Sequence, residues 1–317
     1  MDANLALEFV RVTEAAAIAS AKWVGRGDSN SADQAAVQEL RARLNAMQIT
    51  GTIVIGEGER DQAPMLYIGE KVGSGKGSAI DIAVDPLEGT SVTARGGNNA
   101  LSVLAAAPAG ALLHAPDTYM DKIAVGPRVG KKVSLENSVK ENLQIVAEAL
   151  DKPMDEITVV ILERERHAKL IEQVRKAGAR IQLIGDGDVS GAISTTMPES
   201  GVDILLGSGG APEGVLAAAA FKCLGGYMEG RLMFRNPQEE KRAREYGMKD
   251  PAKLLKLDDL VKGNEVLFVA TGVTDGNMLK GVTFGEHGRV KTHSVVMRAK
   301  TGTVRFVEAI HRQAHSK

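Results

Sequence analysis

The chain has 317 residues, enough for two domains or one large layered one, and its 44% hydrophobic and 25% charged content excludes disorder. A net charge of -1 offers no basic field for nucleic acid or anionic membrane, and 3% aromatics leave few stacking platforms for single strands. Cys223 is the one cysteine, which excludes an internal disulfide and a cysteine metal cluster and fits a reducing compartment.

Residues 5–22 predict a helix, because Leu5, Phe9, Val12 and Ala16 recur at helical spacing. The same stretch carries acids among its apolar residues and lacks the basic region of a signal peptide. No apolar run approaches the ~20 residues that span a bilayer. A soluble, cytoplasmic protein with neither membrane nor nucleic-acid partner is expected.

"GRGDSNSAD" (25–33) reads as a loop by composition and leads into a second helix carrying Val37, Leu40 and Leu44. "TIVIG" predicts a short β-branched strand that ends abruptly in "EGERD". The segments "AIDIAVD", "LSVLAAA", "LLHAP" and "KIAVG" predict further short strands. "SVKENLQIVAEALDK" predicts a helix with Val139, Leu143, Val146 and Leu150 on one face. An alternation follows: strand "ITVVILE", helix "AKLIEQVRKAG", strand "RIQLIGD", helix "VSGAISTTM", strand "VDILLG", helix "VLAAAAFKCL". Such alternation predicts a sheet with helices on its faces, an α/β fold. The charged "QEEKRAREYGMKDPAKLLKLDDL" reads as surface helix and loop, and the C-terminal segment as a hairpin turning at Thr301 and Gly302. The change of character over 130–156 places two halves at 1–135 and 136–317.

Two glycine-rich motifs fail as nucleotide loops. "GSGKGS" has Glu70 in place of the first P-loop glycine, and Gly77 where a hydroxyl must follow Lys76. "GSGGAPEG" has Pro212 in place of the third dinucleotide-loop glycine. The six histidines are scattered, and neither a Gly-x-Ser-x-Gly elbow nor His-Glu-x-x-His is present. Oxygen ligands must carry any chemistry.

Four places share an apolar or glycine-rich element that ends in acid: Asp33; Glu57, with Glu59 and Asp61 nearby; Asp85 and Glu88; and Glu213. Singly, each has an ordinary reading. Asp33 could be a helix cap, Glu57 a solvated turn residue, Asp85 an Asx turn, and Glu213 a first-turn acid facing a helix dipole. Jointly they point elsewhere, since ligands of α/β proteins gather at the carboxyl ends of strands. Clustered carboxylates repel until a cation or a proton relieves them. All-oxygen ligation suits magnesium or manganese, and two such ions about 4 Å apart serve phosphoryl transfer. Gly89 and Thr90 add close backbone approach and a hydroxyl able to orient water.

"DPLEGT" resembles the Asp-Pro-x-Asp/Glu-Gly-Thr/Ser signature of the lithium-sensitive sugar and inositol phosphatases. With "GTIVIGEGERDQAPMLYIGEKVG", "NALSVLA", "APDTYMDKIAVGP", "DGDVSGAI" and "GGAPEGVLAAA", the chain resembles class II fructose-1,6-bisphosphatases from about Leu7 to the C-terminal hairpin. The resemblance implies the sugar-phosphatase fold of alternating helix and sheet layers, an αβαβα sandwich. It implies hydrolysis of the 1-phosphate of fructose 1,6-bisphosphate in gluconeogenesis. It also implies manganese or magnesium as cofactor, and a homo-oligomer, dimer or tetramer.

By that resemblance Asp33 and Glu57 hold one metal, while Asp85, Glu88 and Glu213 hold the second. Thr90 orients the metal-activated water, helped by Asp33. Glu88, Gly89 and Thr90 receive the 1-phosphate. Tyr119, Arg164, Glu165 and Arg166 hold the distal part of the substrate, and Asp186, Gly187, Asp188 and Gly210 hold the sugar. Two features depart from the family pattern: Glu165 stands where proline is usual, and the charged segment after Phe234 is shorter. Glu165 is expected to point away from the distal phosphate.

Overall fold

The structure, a computed structural model, describes residues 5–58 and 65–312. The chain forms two compact units. One comprises the residues up to Leu112 together with those from Asn264 onward, and the other is Leu113–Gly263. This grouping differs from a single cut at 135/136, because strands after residue 264 pair back onto the sheet that begins at residue 50.

The first unit opens with helices α1 (Leu5–Ala21) and α2 (Ser29–Ala46). Helix α2 starts inside the segment expected to be a loop. Asp28 caps it, its Oδ1 accepting the Ser31 N–H at 2.9 Å and its Oδ2 the Ser31 hydroxyl at 2.6 Å. Strands β1 (Thr50–Ile55), β2 (Lys71–Val72) and β3 (Ala79–Glu88) follow, then the short helix α3 (Thr90–Arg95) and strand β4 (Leu101–Pro108). "LLHAP" gives no strand, only an isolated bridge at Leu112.

The second unit contains β5 (Tyr119–Val125), α4 (Val139–Leu150), β6 (Thr158–Leu162), α5 (Ala168–Ala177) and β7 (Arg180–Ile184). It continues through α6 (Asp188–Ser194), β8 (Ile204–Gly210), α7 (Ala211–Leu224) and β9 (Tyr227–Met233). Helix α8 (Pro237–Glu245), strand β10 (Leu255–Lys256) and helix α9 (Leu257–Leu260) complete it. The first unit resumes with β11 (Leu267–Gly272), β12 (Thr283–Phe284), β13 (Arg289–Arg298) and β14 (Thr303–Arg312). The last two are the expected hairpin, turning through Gly302 in the left-handed region at φ 58°.

The first unit's sheet runs β12-β13-β11-β4-β3-β1-β2, with β14 beside β13; β1 and β3 are parallel and every other pair antiparallel. Its inner strands β4 and β11 are apolar and buried almost throughout, the pattern of strands covered on both faces. Helix α1 packs against β11 and β13, and α2 against β3 and α3. Phe9, Leu40, Ile53, Ile82, Leu104 and Val269 belong to this core.

The second sheet runs β10-β9-β5-β8-β6-β7, with β6 parallel to both its neighbours. Leu143, Val146 and Val174 of α4 and α5 pack with Ile123, Val159 and Leu206 of this sheet. Helix α4 starts at a capping box in which Ser138 and Glu141 satisfy each other's backbone N–H. Both units are thus sheets faced by helices, and the α/β reading holds. Among the described residues no helix is long and apolar enough to cross a membrane.

Candidate functional site

In the first unit the acids are placed by the ends of two parallel strands. Ile55 of β1 and Ala83 of β3 are register partners, and Glu57 and Asp85 each lie two residues further on. Gly56 makes the exit from β1 possible. A Cβ there would collide with the Leu66 carbonyl, whose partner is the Glu57 N–H at 3.0 Å. Glu59 and Asp61 lie outside the described residues.

Asp85 pairs with Val103 and Glu88 with Leu101, so three steps along β3 match two along β4. Residues three apart in a regular strand face opposite sides; the bulge at Pro86 and Leu87 returns both carboxylates to one face. The Leu87 N–H donates to Asp85 Oδ1 at 3.1 Å, which steadies the bulge. Gly89 then turns the chain at φ 91° into α3, with Thr90 as the first helical residue. The left-handed turn favours glycine, and a Cβ would also meet Val92 at 2.8 Å.

Asp33 is not the cap of α2, since Asp28 has that role. It sits one turn into the helix, on the element that packs against β3 and α3. Burial pushes its carboxyl above the ordinary carboxylate value.

In the second unit the resemblance-derived residues fall at the ends of β5, β6, β7 and β8. Tyr119 and Gly210 are direct register partners. The Arg166 guanidinium lies over the Tyr119 ring at 4.7 Å from its centre, held by Ser208 through hydroxyl (3.0 Å) and carbonyl (2.8 Å). Arg164 donates to the carbonyls of Glu163 and Gly185 and lies 3.9 Å from Asp186 Oδ1. Glu165 is exposed and, among the described residues, has no side-chain hydrogen bond or ion pair. Gly187 caps α6 at φ 90°, which brings Asp188 to the first helical position.

Asp188 does not face the site alone. Its Oδ2 accepts from the ammonium of Lys122, which also donates to the Gly210 carbonyl at 2.6 Å. Glu213, on the first turn of α7, keeps its Oε2 enclosed with no hydrogen-bond donor among the described residues. Burial raises its carboxyl; the Lys122 charge opposes this and the Asp188 charge adds to it. Gly209 and Gly210 leave room for the two carboxylates as they stand. A Cβ on Gly209 would strike Asp188 Oδ2, and one on Gly210 would strike Glu213 Oε2.

Among the described residues no three His, Cys, Asp or Glu side chains form a ready-made metal cluster. The donor set still fits a hard cation in its parts. It consists of carboxylates, Glu213 presents a buried oxygen without a donor, and Asp33 is destabilised as an anion. Asp33, Glu57, Asp85 and Glu88 belong to the first unit and Glu213 to the second.

Sequence reasoning missed Lys122, Arg235, Ser208 and His167. Arg235 covers Tyr119 with its guanidinium carbon 5.4 Å from the ring centre, tied to Glu239 and to the Asp117 carbonyl. His167 takes the Ser208 N–H on Nε2 at 2.9 Å and meets the Leu162 carbonyl through Nδ1 at 2.7 Å, so its proton sits on Nδ1. The available signal was Lys122, a lone cation sharing one face of a strand with Met120 and Ala124.

Residues 3–311 match the family model described as bacterial fructose-1,6-bisphosphatase, glpX-encoded. Fructose-1,6-bisphosphatase 1 class 2 of Escherichia coli K12 is 48% identical, over 98% of this chain and 96% of that protein. D-fructose 1,6-bisphosphatase class 2/sedoheptulose 1,7-bisphosphatase of Synechococcus sp. strain JA-3-3Ab is 47% identical over the same shares.

Proposed function

Since the chain belongs to the bacterial, glpX-encoded fructose-1,6-bisphosphatase family, we propose that it removes the 1-phosphate of fructose 1,6-bisphosphate, in gluconeogenesis. The observation that carries the site assignment is the β3 bulge, which turns Asp85 and Glu88 to one face directly before Gly89 and Thr90.

Asp33 and Glu57 would hold one divalent ion, and Asp85, Glu88 and Glu213 the other, with manganese or magnesium as occupant. Bound there, the ions supply charge neutralisation to the transferring phosphoryl group. Thr90 orients the attacking water, aided by Asp33, and Gly89 admits the phosphate to the backbone. Arg164 and Arg166 provide permanent positive charge for the distal phosphate, with Tyr119 beside them. Asp186, Gly187, Asp188 and Gly210 receive the sugar. Glu165, exposed, stays out of that contact. "DPLEGT" supports wider kinship with the lithium-sensitive phosphatases. A cytoplasmic homo-oligomer, dimer or tetramer, completes the reading; exposed Phe306 and Ile310 on β14 supply apolar surface for self-association.

The test is phosphate release from fructose 1,6-bisphosphate with manganese, repeated with chelator and with Thr90→Ala. Chelator should abolish turnover, and Thr90→Ala should lower it more than tenfold, over ~1.4 kcal/mol in barrier. A smaller loss removes Thr90 from the role. Sedoheptulose 1,7-bisphosphate and inositol monophosphate serve as rival substrates, and a preference for the monophosphate would overturn the arginine assignment.

A further inference from the structure

Lys122 is among the largest fully buried side chains, at 2% exposure. Lysine is almost never buried without a partner, and a buried ion pair adds little stability that apolar packing would not supply. Its retention needs another reason, and its contacts provide one. The Nζ donates to Asp188 Oδ2, at the start of α6, and to the carbonyl of Gly210, where β8 ends and α7 begins. The missing Cβ of Gly209 leaves the space that the Asp188 carboxylate fills; a Cβ there would also come within 3.2 Å of the same Nζ. The Met120 sulfur, beside Lys122 on the same face of β5, packs on Gly214 and Gly230 and closes the apolar side.

We propose that Lys122 is a positioning residue: it ties the sugar-binding 186–188 segment to the 210–213 turn and holds Asp188 in a fixed orientation. This rests on the phosphatase reading above. One ammonium serves two carboxylates, Asp188 by direct contact and Glu213 through its field. Without Lys122 the two acids would repel, and Asp188 would be buried as an anion with no cation. Lys122 therefore acts on substrate through Asp188 and touches no reacting atom.

The experiment is a double-mutant cycle on Lys122→Met and Asp188→Asn, read by calorimetric binding of fructose 6-phosphate and by thermal unfolding. Lys122→Met should weaken binding at least tenfold. The double variant should bind no more weakly than Asp188→Asn alone, and should melt above Lys122→Met because both buried charges are gone. Binding by Lys122→Met within threefold of the parent overturns the proposal, as does a double variant in which the two losses multiply. Should Lys122→Met fail to fold, Asp188→Asn against the double variant decides: equal affinity supports the proposal and a further loss overturns it. A parent that releases no phosphate from fructose 1,6-bisphosphate sinks the phosphatase reading. An active parent with an unaffected Lys122→Met sinks only the role of Lys122.

Discussion

Glu213 shows how one carboxylate can be costly to the protein that keeps it. Its Oε2 is enclosed without a donor among the described residues, and burial raises its carboxyl above the ordinary 4.5. A carboxyl whose folded pKa exceeds its unfolded one binds more protons in the native state. Native stability then falls as pH rises between the two values. In chelator, the parent should lose stability relative to Glu213→Gln as pH is raised upward from 4.5. Added manganese should reverse the trend, because the ionised form binds the cation. Denaturation midpoints of both proteins across that range, with and without metal, check this; parallel curves would show that Glu213 is not strained.

Among elements, β3 matters most, because its bulge decides which side chains share a face. Deleting Pro86 and Leu87 together would remove the bulge and leave Glu88 next to Asp85, on the opposite face of the strand. We expect the deletion variant to retain its circular dichroism spectrum and lose metal-dependent turnover by orders of magnitude. Retained activity would mean that Glu88 does not need the bulge. Periodicity made α1 and α4 legible, since their apolar residues recur at helical spacing over several turns. The start of α2 was not legible: Asp28, Ser29 and Asn30 suit a loop and a cap equally, and only the Asp28 bond to the Ser31 N–H distinguishes them. Strand β9 was hidden for a related reason. It carries Glu229 among its apolar residues, a buried acid satisfied by Tyr227 and Ser134.

At the scale of the molecule, the second unit is inserted between β4 and β11 of the first. The chain enters and leaves it side by side, with the Leu113 N–H bonded to the Leu260 carbonyl at 2.9 Å. It has a core of its own around Ile123, Leu143, Val159 and Leu206. Closely spaced ends and a separate core are what let a domain fold alone. Residues 113–263 expressed by themselves should therefore unfold in one cooperative transition, as followed by denaturant titration. A non-cooperative profile would show that the unit depends on the rest of the chain.

By itself the sequence determined the chemistry available: acids ending strands, a hydroxyl after a glycine, arginines for an anion, one cysteine and no basic field. These follow from residue types and local order, which the chain carries wherever it folds. Tertiary structure decided what those residues do to one another. The bulge depends on pairing with β4, and the Lys122 bond to Asp188 joins residues 66 positions apart in the chain. Neither has a local signature, because pairing and burial come from long-range packing. It is burial that turns a lone lysine and a turn acid into a charged pair.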